Sequence, residues 1–376
     1  MRTLIVSDLH VGLHTGADVL RRPVGLDALV GALDGVDRLV LLGDAIELRS
    51  GPVGRALEAA RPFFEALGRA LDGREVVLVP GNHDHALIGS WLQRGDGVFD
   101  PEQRALPEEA SPAACAIADF LGPRGRIEFA YPGIWVRDDV YATHGHYLDC
   151  HMTVPTFERL AIAAMARFAR IDPAAVRRPD DYEALVAPVY AWIHAVAQGG
   201  QPGLINGSGS ARARHALTSS AGRLRLRSRA AAAAFPVAVA ALNRAGFGPL
   251  RSDVSGDELR RARLLALGCV VDRLGIDAEY VIFGHTHRTG PLPGDDPSEW
   301  VTPSGAHLLN CGSWVFETHL MTPAVAASPY WPGGAVTVDG DGPPRLERLL
   351  GERGAAELVA SRRASLAGVS SSRVGE

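Results

Sequence analysis

Short apolar runs that each stop at Asp, Asn, His or Gly, separated by stretches with helical spacing, limit what this chain can fold into. The runs TLIVSD, RLVLLGD, EVVLVPGN and VYATHGH lie between Arg2 and about His146. Runs of Val, Leu and Ile closed by turn-forming residues read as strands, and their alternation with helical patterns reads as βα units. From about Tyr147 to Asp277 the strand signal fades. Ala, Leu and Arg recur there at helical spacing in FERLAIAAMARFARI, YEALVAPVYAWIHAVA and ELRRARLLALGCVVDRL, which predicts a helical insertion. Strand character returns in EYVIFGHTH, HLLNCGSW and GAVTVDG. The expected organisation is one α/β domain over residues 1–350, interrupted by helices at about 147–277 and followed by a tail at 351–376. Inside the insertion, GGQPGLINGSGSARARHALTSSAGRLRLRSR has the composition of a weakly ordered segment. The Ala/Ser/Arg-rich tail reads as a loose helix or frayed end.

The polar residues that close the strands carry the functional information. Asp8 and His10 follow the first strand, Asp44 the second, and Asn82 with His83 the third. His144 follows a later strand, and His285 with His287 the first strand after the insertion. Open α/β sheets bind ligands at the C-terminal ends of their strands, so residues distant in sequence can meet in one crevice. Leaving His83 aside, the set offers two carboxylates, one amide oxygen and four imidazoles, with no thiolate. Such N/O donors suit manganese, iron or zinc. Seven donors exceed the need of one tetrahedral ion. Two ions roughly 3.5–4 Å apart, sharing one carboxylate, would use them all. A pair of this kind activates water and neutralises a phosphoryl group under in-line attack, so phosphate ester hydrolysis is the reaction it serves.

Each residue also has a plainer reading. Asp8 and His10 could be a polar strand end or a helix cap, Asp44 a turn residue, and Asn82 a left-handed residue beside Gly81. His285 and His287 could be core histidines, although two imidazoles at alternate positions after an apolar strand are hard to bury without partners. The combination favours metal.

The order DLH, GDAIE, GNHD, HGH, GHTH resembles the signature of calcineurin-like metallophosphoesterases, in which DxH, GDxx(D/E), GNH(D/E), a lone His before Gly, and GHxH recur in that sequence. The resemblance covers the chain outside the insertion and tail. It implies two packed mixed β-sheets flanked by helices, as a sandwich. It also implies Asp8, His10 and His287 on one divalent metal, Asn82, His144 and His285 on the other, and Asp44 bridging them. Manganese is the expected metal, with iron or zinc as alternatives, and a metal-bridging hydroxide is the implied nucleophile. His83 becomes the histidine that steadies or protonates the leaving oxygen, oriented by Asp84. Glu47 fits the acidic position after GDxx and either orients a ligand or sits on a helix surface. His146 stands where related lipid-precursor hydrolases carry Asp, and reads as a substrate contact or an auxiliary ligand. HGHYLD, the helical insertion and GHTHRTG look in part like UDP-2,3-diacylglucosamine hydrolases, which cleave a pyrophosphate. Monoester, diester and pyrophosphate substrates all stay open.

Rival readings are weaker. The protein phosphatase branch resembles GDxxDRG followed by GNHE, whereas this chain has GDAIELR and GNHD. A scaffold that had lost its chemistry should lack a ligand, and every position is filled. His14, His85, Asp149 and His151 lie close to the motifs in sequence, which alone is thin evidence of a role. Asn310, Gly312 and Ser313 could line a rim or form a turn. Arg212, Arg214, Arg223, Arg225, Arg227 and Arg229 could clamp an anion, although a run of this kind is usually a solvated face. Phe157, Leu160, Ile162, Met165 and Phe168 read as packing, with acyl-chain or peripheral membrane contact as the alternative.

Composition adds bounds. With 47% hydrophobic and 22% charged residues in 376, the chain is an ordinary globular one. The net charge of −5, carried without a single Lys, does not point to nucleic acid. The expected partner is a small-molecule or lipid-linked phosphoester, with the oligomeric state open. Cys115, Cys150, Cys269 and Cys311 are widely spaced, which argues against a zinc ribbon or disulfide framework and for a reducing, cytoplasmic setting. The first apolar run is too short for a signal peptide, and no stretch approaches the roughly 20 residues of a membrane span.

Overall fold

The computed structural model describes residues 1–95, 100–199, 225–316, 328–350 and 357–358, with the side chains of 225–233 left aside. Its strands are β1 (Arg2–Val6), β2 (Arg38–Leu42), β3 (Glu75–Val79), β4 (Glu102–Ala105), β5 (Arg126–Arg137), β6 (Val140–Thr143), β7 (Tyr280–Phe283), β8 (His307–Asn310), β9 (Gly334–Asp339) and β10 (Arg345–Arg348). They join in the order β10-β9-β1-β2-β3-β5-β6-β7-β8, with β4 beside β5. The neighbours β1–β2, β2–β3, β3–β5, β6–β7 and β7–β8 are parallel. The pairs β1–β9, β9–β10, β4–β5 and β5–β6 are antiparallel.

The architecture is mixed α/β, as expected. Its strands form one hydrogen-bonded path. The 12-residue β5 links the two parts of that path: its first part pairs with β3 and β4, and its last part with β6. The sequence reading did not place β5, because Tyr131-Pro132-Gly133 interrupts its strand pattern.

Residues alternate between the faces of each strand, and both faces are covered. Leu4, Val6, Leu39 and Leu41 pack in one cluster with Phe63, Phe64 and Leu67. Those three belong to helix α2 (Val53–Leu71), which lies with α1 (Pro23–Ala32) and α5 (Pro112–Leu121) among the covering helices; α3 (Gly89–Arg94) and α4 (Pro107–Ala110) are short. Ile5, Val40, Val77 and Val79 turn the other way and share a second cluster with Ile134, Ala142, Ile282 and Leu309. Burial on both faces explains why these runs are continuously apolar.

Between β6 and β7 the described residues form helices and turns only: a short turn at His146–Cys150, then α6 (Phe157–Ala169), α7 (Pro179–Gln198), α8 (Arg225–Arg244) and α9 (Gly256–Leu274). The hydroxyl of Ser255 accepts a hydrogen bond from the Glu258 amide and caps α9, which Asp257 and Glu258 in its first turn also favour. Leu259, Leu264, Leu267 and Val271 of α9 pack with Tyr141, Val281, Phe283 and Leu308, so this helix covers the β6–β8 part of the sheet. On α6, Ile162 is fully buried, whereas Phe157 and Phe168 are exposed. Arg212, Arg214 and Arg223 lie outside the described residues, as do the side chains of Arg225, Arg227 and Arg229 and nearly all of the tail. No helix among the described residues is long and apolar enough to cross a membrane.

Candidate metal centre

The loops after β1, β2, β3, β6 and β7 bring the motif residues together, and the backbone is strained where they meet. Asp8, His10, Asp44, His285 and His287 have φ between 45° and 64°. A left-handed conformation costs a non-glycine residue about 1 kcal/mol or more. Of the seven such residues described, only Asp72 and Arg170 lie elsewhere. The strain is held by hydrogen bonds: the Asp8 amide donates to Gly43 O at 3.1 Å, His10 N to Asp44 O at 2.7 Å, and His285 N to Asp8 Oδ2 at 2.8 Å. The motif glycines permit the crowding. A Cβ on Gly81 would stand 2.3 Å from Asp44 Oδ1, and one on Gly43, itself at φ +81°, 2.1 Å from His144 Nδ1.

Two groups of lone-pair atoms result. In the first, Asp8 Oδ1 lies 3.3 Å from His287 Nε2, which lies 3.2 Å from His10 Nε2. In the second, Asn82 Oδ1 lies 3.2 Å from His144 Nε2 and 3.0 Å from His285 Nδ1. Asp44 Oδ2 sits between them, 3.5 Å from His10 Nε2 and 3.4 Å from His144 Nε2. The far ring nitrogens are engaged: His144 Nδ1 is 3.1 Å from Leu42 O, and His285 Nε2 is 3.0 Å from Asp149 Oδ2. A ring nitrogen that donates outward presents a lone pair inward, as metal-binding histidines do. Asp8 Oδ1 is buried with no hydrogen-bond partner. Acceptors facing acceptors around an orphaned carboxylate oxygen fit divalent cations.

His83 is half-buried, and its position corrects one expectation. Its Nδ1 lies 2.8 Å from Glu47 Oε2, not on Asp84. The same Glu47 oxygen lies 3.1 Å from His10 Nδ1. Asp84 is spent on the backbone: Oδ1 accepts from Gly81 N at 2.6 Å and Asp44 N at 3.2 Å, and Oδ2 from Ala45 N at 2.7 Å and Ile46 N at 3.4 Å. It therefore shapes the Asp44 loop, while Glu47, buried and not on a helix surface, orients two histidines. A ring nitrogen of His83 also comes within 4.8 Å of His10 and Asp44 ligand atoms.

Burial opposes charge throughout the site, but neighbouring charges override it in most places. Despite burial, Glu47 and Asp44 raise His10 to about 10, and Asp44 raises His144 to about 9. Against burial, His287 and His144 bring Asp8 down to about 2, and histidines hold Asp44 and Glu47 well below the usual carboxyl range. Burial prevails at Asp84, which with the help of the Asp44 charge rises to about 6, and at His83, which is lowered. Carboxylates are thus held in their charged form beside the imidazoles, a donor set that suits divalent cations.

A second polar network joins the site to helix α7. Glu183 of α7 accepts hydrogen bonds from the hydroxyls of Tyr131 and Tyr147 and lies 2.9 Å from His85 Nε2. Tyr131 Oη is also 3.0 Å from His146 Nε2. His146 is fully buried, with its ring 5.6 Å from that of His144 and its Nδ1 without a partner. Of the residues singled out for lying close to the motifs in sequence, Asp149 orients His285, His85 joins the Glu183 network, His151 pairs with Tyr182 and His14 is exposed. Asn310 is structural: its side-chain amide donates to Gly284 O and Thr286 Oγ, bracing the loop that carries His285 and His287. Glu183 escaped the sequence reading. Its spacing from Val186 and Tyr190, three and seven residues on along the buried face of α7, was the available signal.

Residues 1–190 match the calcineurin-like phosphoesterase family. The chain belongs to that family and is a metal-dependent phosphoester hydrolase. No curated protein matches it. Among solved structures, a cold-active protein-tyrosine phosphatase from the psychrophile Shewanella sp. is 13% identical, with 92% of this chain and 80% of that one covered at a TM-score of 0.28. A dimetal phosphatase from Danio rerio is also 13% identical, with 92% and 98% covered at 0.32. Likeness at this level carries no argument about the present chain.

Proposed function

We propose that the chain binds two divalent ions, with manganese the first choice, and hydrolyses a phosphomonoester, phosphodiester or pyrophosphate of a small or lipid-linked molecule. Asp8, His10 and His287 would hold one ion, Asn82, His144 and His285 the other, and Asp44 would serve both. The observation that carries this reading is the position of Asp44 Oδ2, within 3.5 Å of a ring nitrogen in each of the two donor groups. When bound, such ions lower the pKa of water and offset the negative charge of a phosphoryl group.

The protein's own residues do the rest. Asp149 and the Leu42 carbonyl fix the two imidazoles that face Asn82. Glu47 holds His83 through Nδ1, so Nε2 would be the atom that meets the leaving oxygen and holds or delivers a proton. Asp84 keeps the Asp44 loop in its strained form through four backbone amides. The test is hydrolysis of p-nitrophenyl phosphate and bis-p-nitrophenyl phosphate by metal-stripped protein with manganese returned, alongside metal content per chain. Turnover that depends on metal, with about two ions bound, is the expected result. Absence of metal binding would sink the proposal.

A further inference from the structure

The loop after β2 and helix α7 together leave a set of buried polar atoms unused beside the metal centre. Arg49, two residues beyond Glu47, is 9% exposed, and its Nε and Nη1 have no hydrogen-bond partner. Its guanidinium stands 5.9 Å from the centre of the Tyr190 ring, whose hydroxyl is also buried without a partner. Tyr190 in turn lies 5.8 Å from the ring of His146, with its own orphaned Nδ1, and His146 lies 5.6 Å from His144. The contacts are thus continuous from Arg49 to a residue of the second donor group. Arg49 is also anchored to the first group: its amide donates to Glu47 Oε1 at 2.9 Å, on the carboxylate that holds His10 and His83.

An always-charged guanidinium is seldom buried without an acceptor, because the lost hydration must be replaced. The carboxylates nearby are engaged. Glu47 faces His10, His83 and the Arg49 amide, and Glu183 faces His85, Tyr131 and Tyr147. The Nε and Nη1 of Arg49 are left without an acceptor, and a guanidinium matches phosphate oxygens better than an ammonium would.

We infer that Arg49 and Tyr190 form an anion subsite beside the metal centre that takes phosphoryl oxygens of the substrate or of the phosphate product. This rests on the proposed hydrolase reading and deepens it. The subsite is made by the loop after β2 and by helix α7, so the helical segment between β6 and β7 would take part in recognising the phosphoryl group and not only the rest of the substrate. Arg49 would act by binding, and Tyr190 by donating its hydroxyl while packing against the guanidinium.

The experiment is calorimetric titration of the manganese-loaded chain with inorganic phosphate, with metal content measured for each variant. Arg49→Ala should retain the metal content of the parent and weaken phosphate binding roughly 10- to 100-fold, the range for loss of a charge-assisted hydrogen bond. Arg49→Lys, which keeps the charge and loses the fork, should fall between. Tyr190→Phe, which removes only the hydroxyl, should weaken binding a few-fold. Phosphate affinity within twofold of the parent in Arg49→Ala would overturn the inference, leaving Arg49 as packing for Tyr190. Loss of metal in both Arg49 variants would also overturn it, by assigning Arg49 to the loop's structure. A parent chain that binds phosphate but cleaves no ester would instead count against the hydrolase reading, and the titration would still decide the role of Arg49.

Discussion

At Glu47, one carboxylate oxygen serves two imidazoles, His10 on the metal side and His83 on the side proposed for the leaving group. A single substitution should therefore separate residues that hold metal from those that handle the proton. His83→Ala should keep close to two ions per chain while turnover falls about 10²–10⁴-fold, the range for loss of general acid–base catalysis; unchanged turnover would remove His83 from the mechanism. Asp44→Ala should lose metal as well as activity, because its Oδ2 faces both donor groups, and a variant that retained two ions would exclude a bridging role. Gly81→Ala tests the crowding itself. Its new Cβ would fall 2.3 Å from Asp44 Oδ1 and 2.6 Å from a His144 ring atom. Overpacking of this kind costs about 1–3 kcal/mol, and metal affinity should drop with stability in urea unfolding and metal titration. An alanine variant with parental metal affinity would show that the loop yields freely.

Helix α7 is held to the turn after β6, to β5 and to the loop after β3 by polar contacts, and these make it sensitive to acid. His151 Nε2 lies 2.8 Å from the Tyr182 hydroxyl of α7. Burial, with the charges of Arg273, Arg159 and Arg177, lowers His151 to about 4 from an ordinary value of 6.5. The unfolded chain would take up a proton near pH 6.5 that the folded chain refuses until about pH 4. Stability is thus fully retained above about pH 6.5 and declines as pH falls through that window, by roughly 3 kcal/mol for a shift of this size. His151→Gln should flatten the fall in urea midpoint between pH 7 and pH 4.5, and an unaltered slope would refute the assignment. Glu183 should behave as a coupled partner of His85: in a double-mutant cycle, Glu183→Gln and His85→Ala should show an interaction of about 1 kcal/mol or more. Additive losses would mean that their 2.9 Å contact does not fasten α7 to the loop after β3.

Across the whole molecule, five strand ends deliver donor residues to one place, three of them on left-handed backbone, and the carboxylates gathered there are buried. Metal should consequently act as part of the fold. Chelation should lower the unfolding temperature by several degrees, on the order of 5–10 °C, and manganese should restore it, since a ligand that binds only the folded state stabilises by mass action. A chain that demonstrably loses metal yet unfolds at the same temperature would contradict this.

The sequence by itself determined the strands that carry the motifs, the helical character of the segment between β6 and β7, and the chemical identity of the donors. Those features are local, since an apolar run closed by DLH, GD or GHTH carries its strand and its functional end together. The tertiary structure alone decided how the donors are held. Asp84 directly follows His83, yet the loop geometry turns its carboxylate onto four backbone amides, and the His83 ring falls to Glu47, 36 residues earlier. Asp149 and Glu183 acquire roles only because the turn after β6 and helix α7 pack against residues far away in sequence. The continuous strand path is likewise a tertiary outcome, since β5 passes through Pro132 and Gly133 while exchanging β3 and β4 for β6 as its neighbour. Hydrogen-bond partners are chosen by distance in space, which spacing along a chain does not encode.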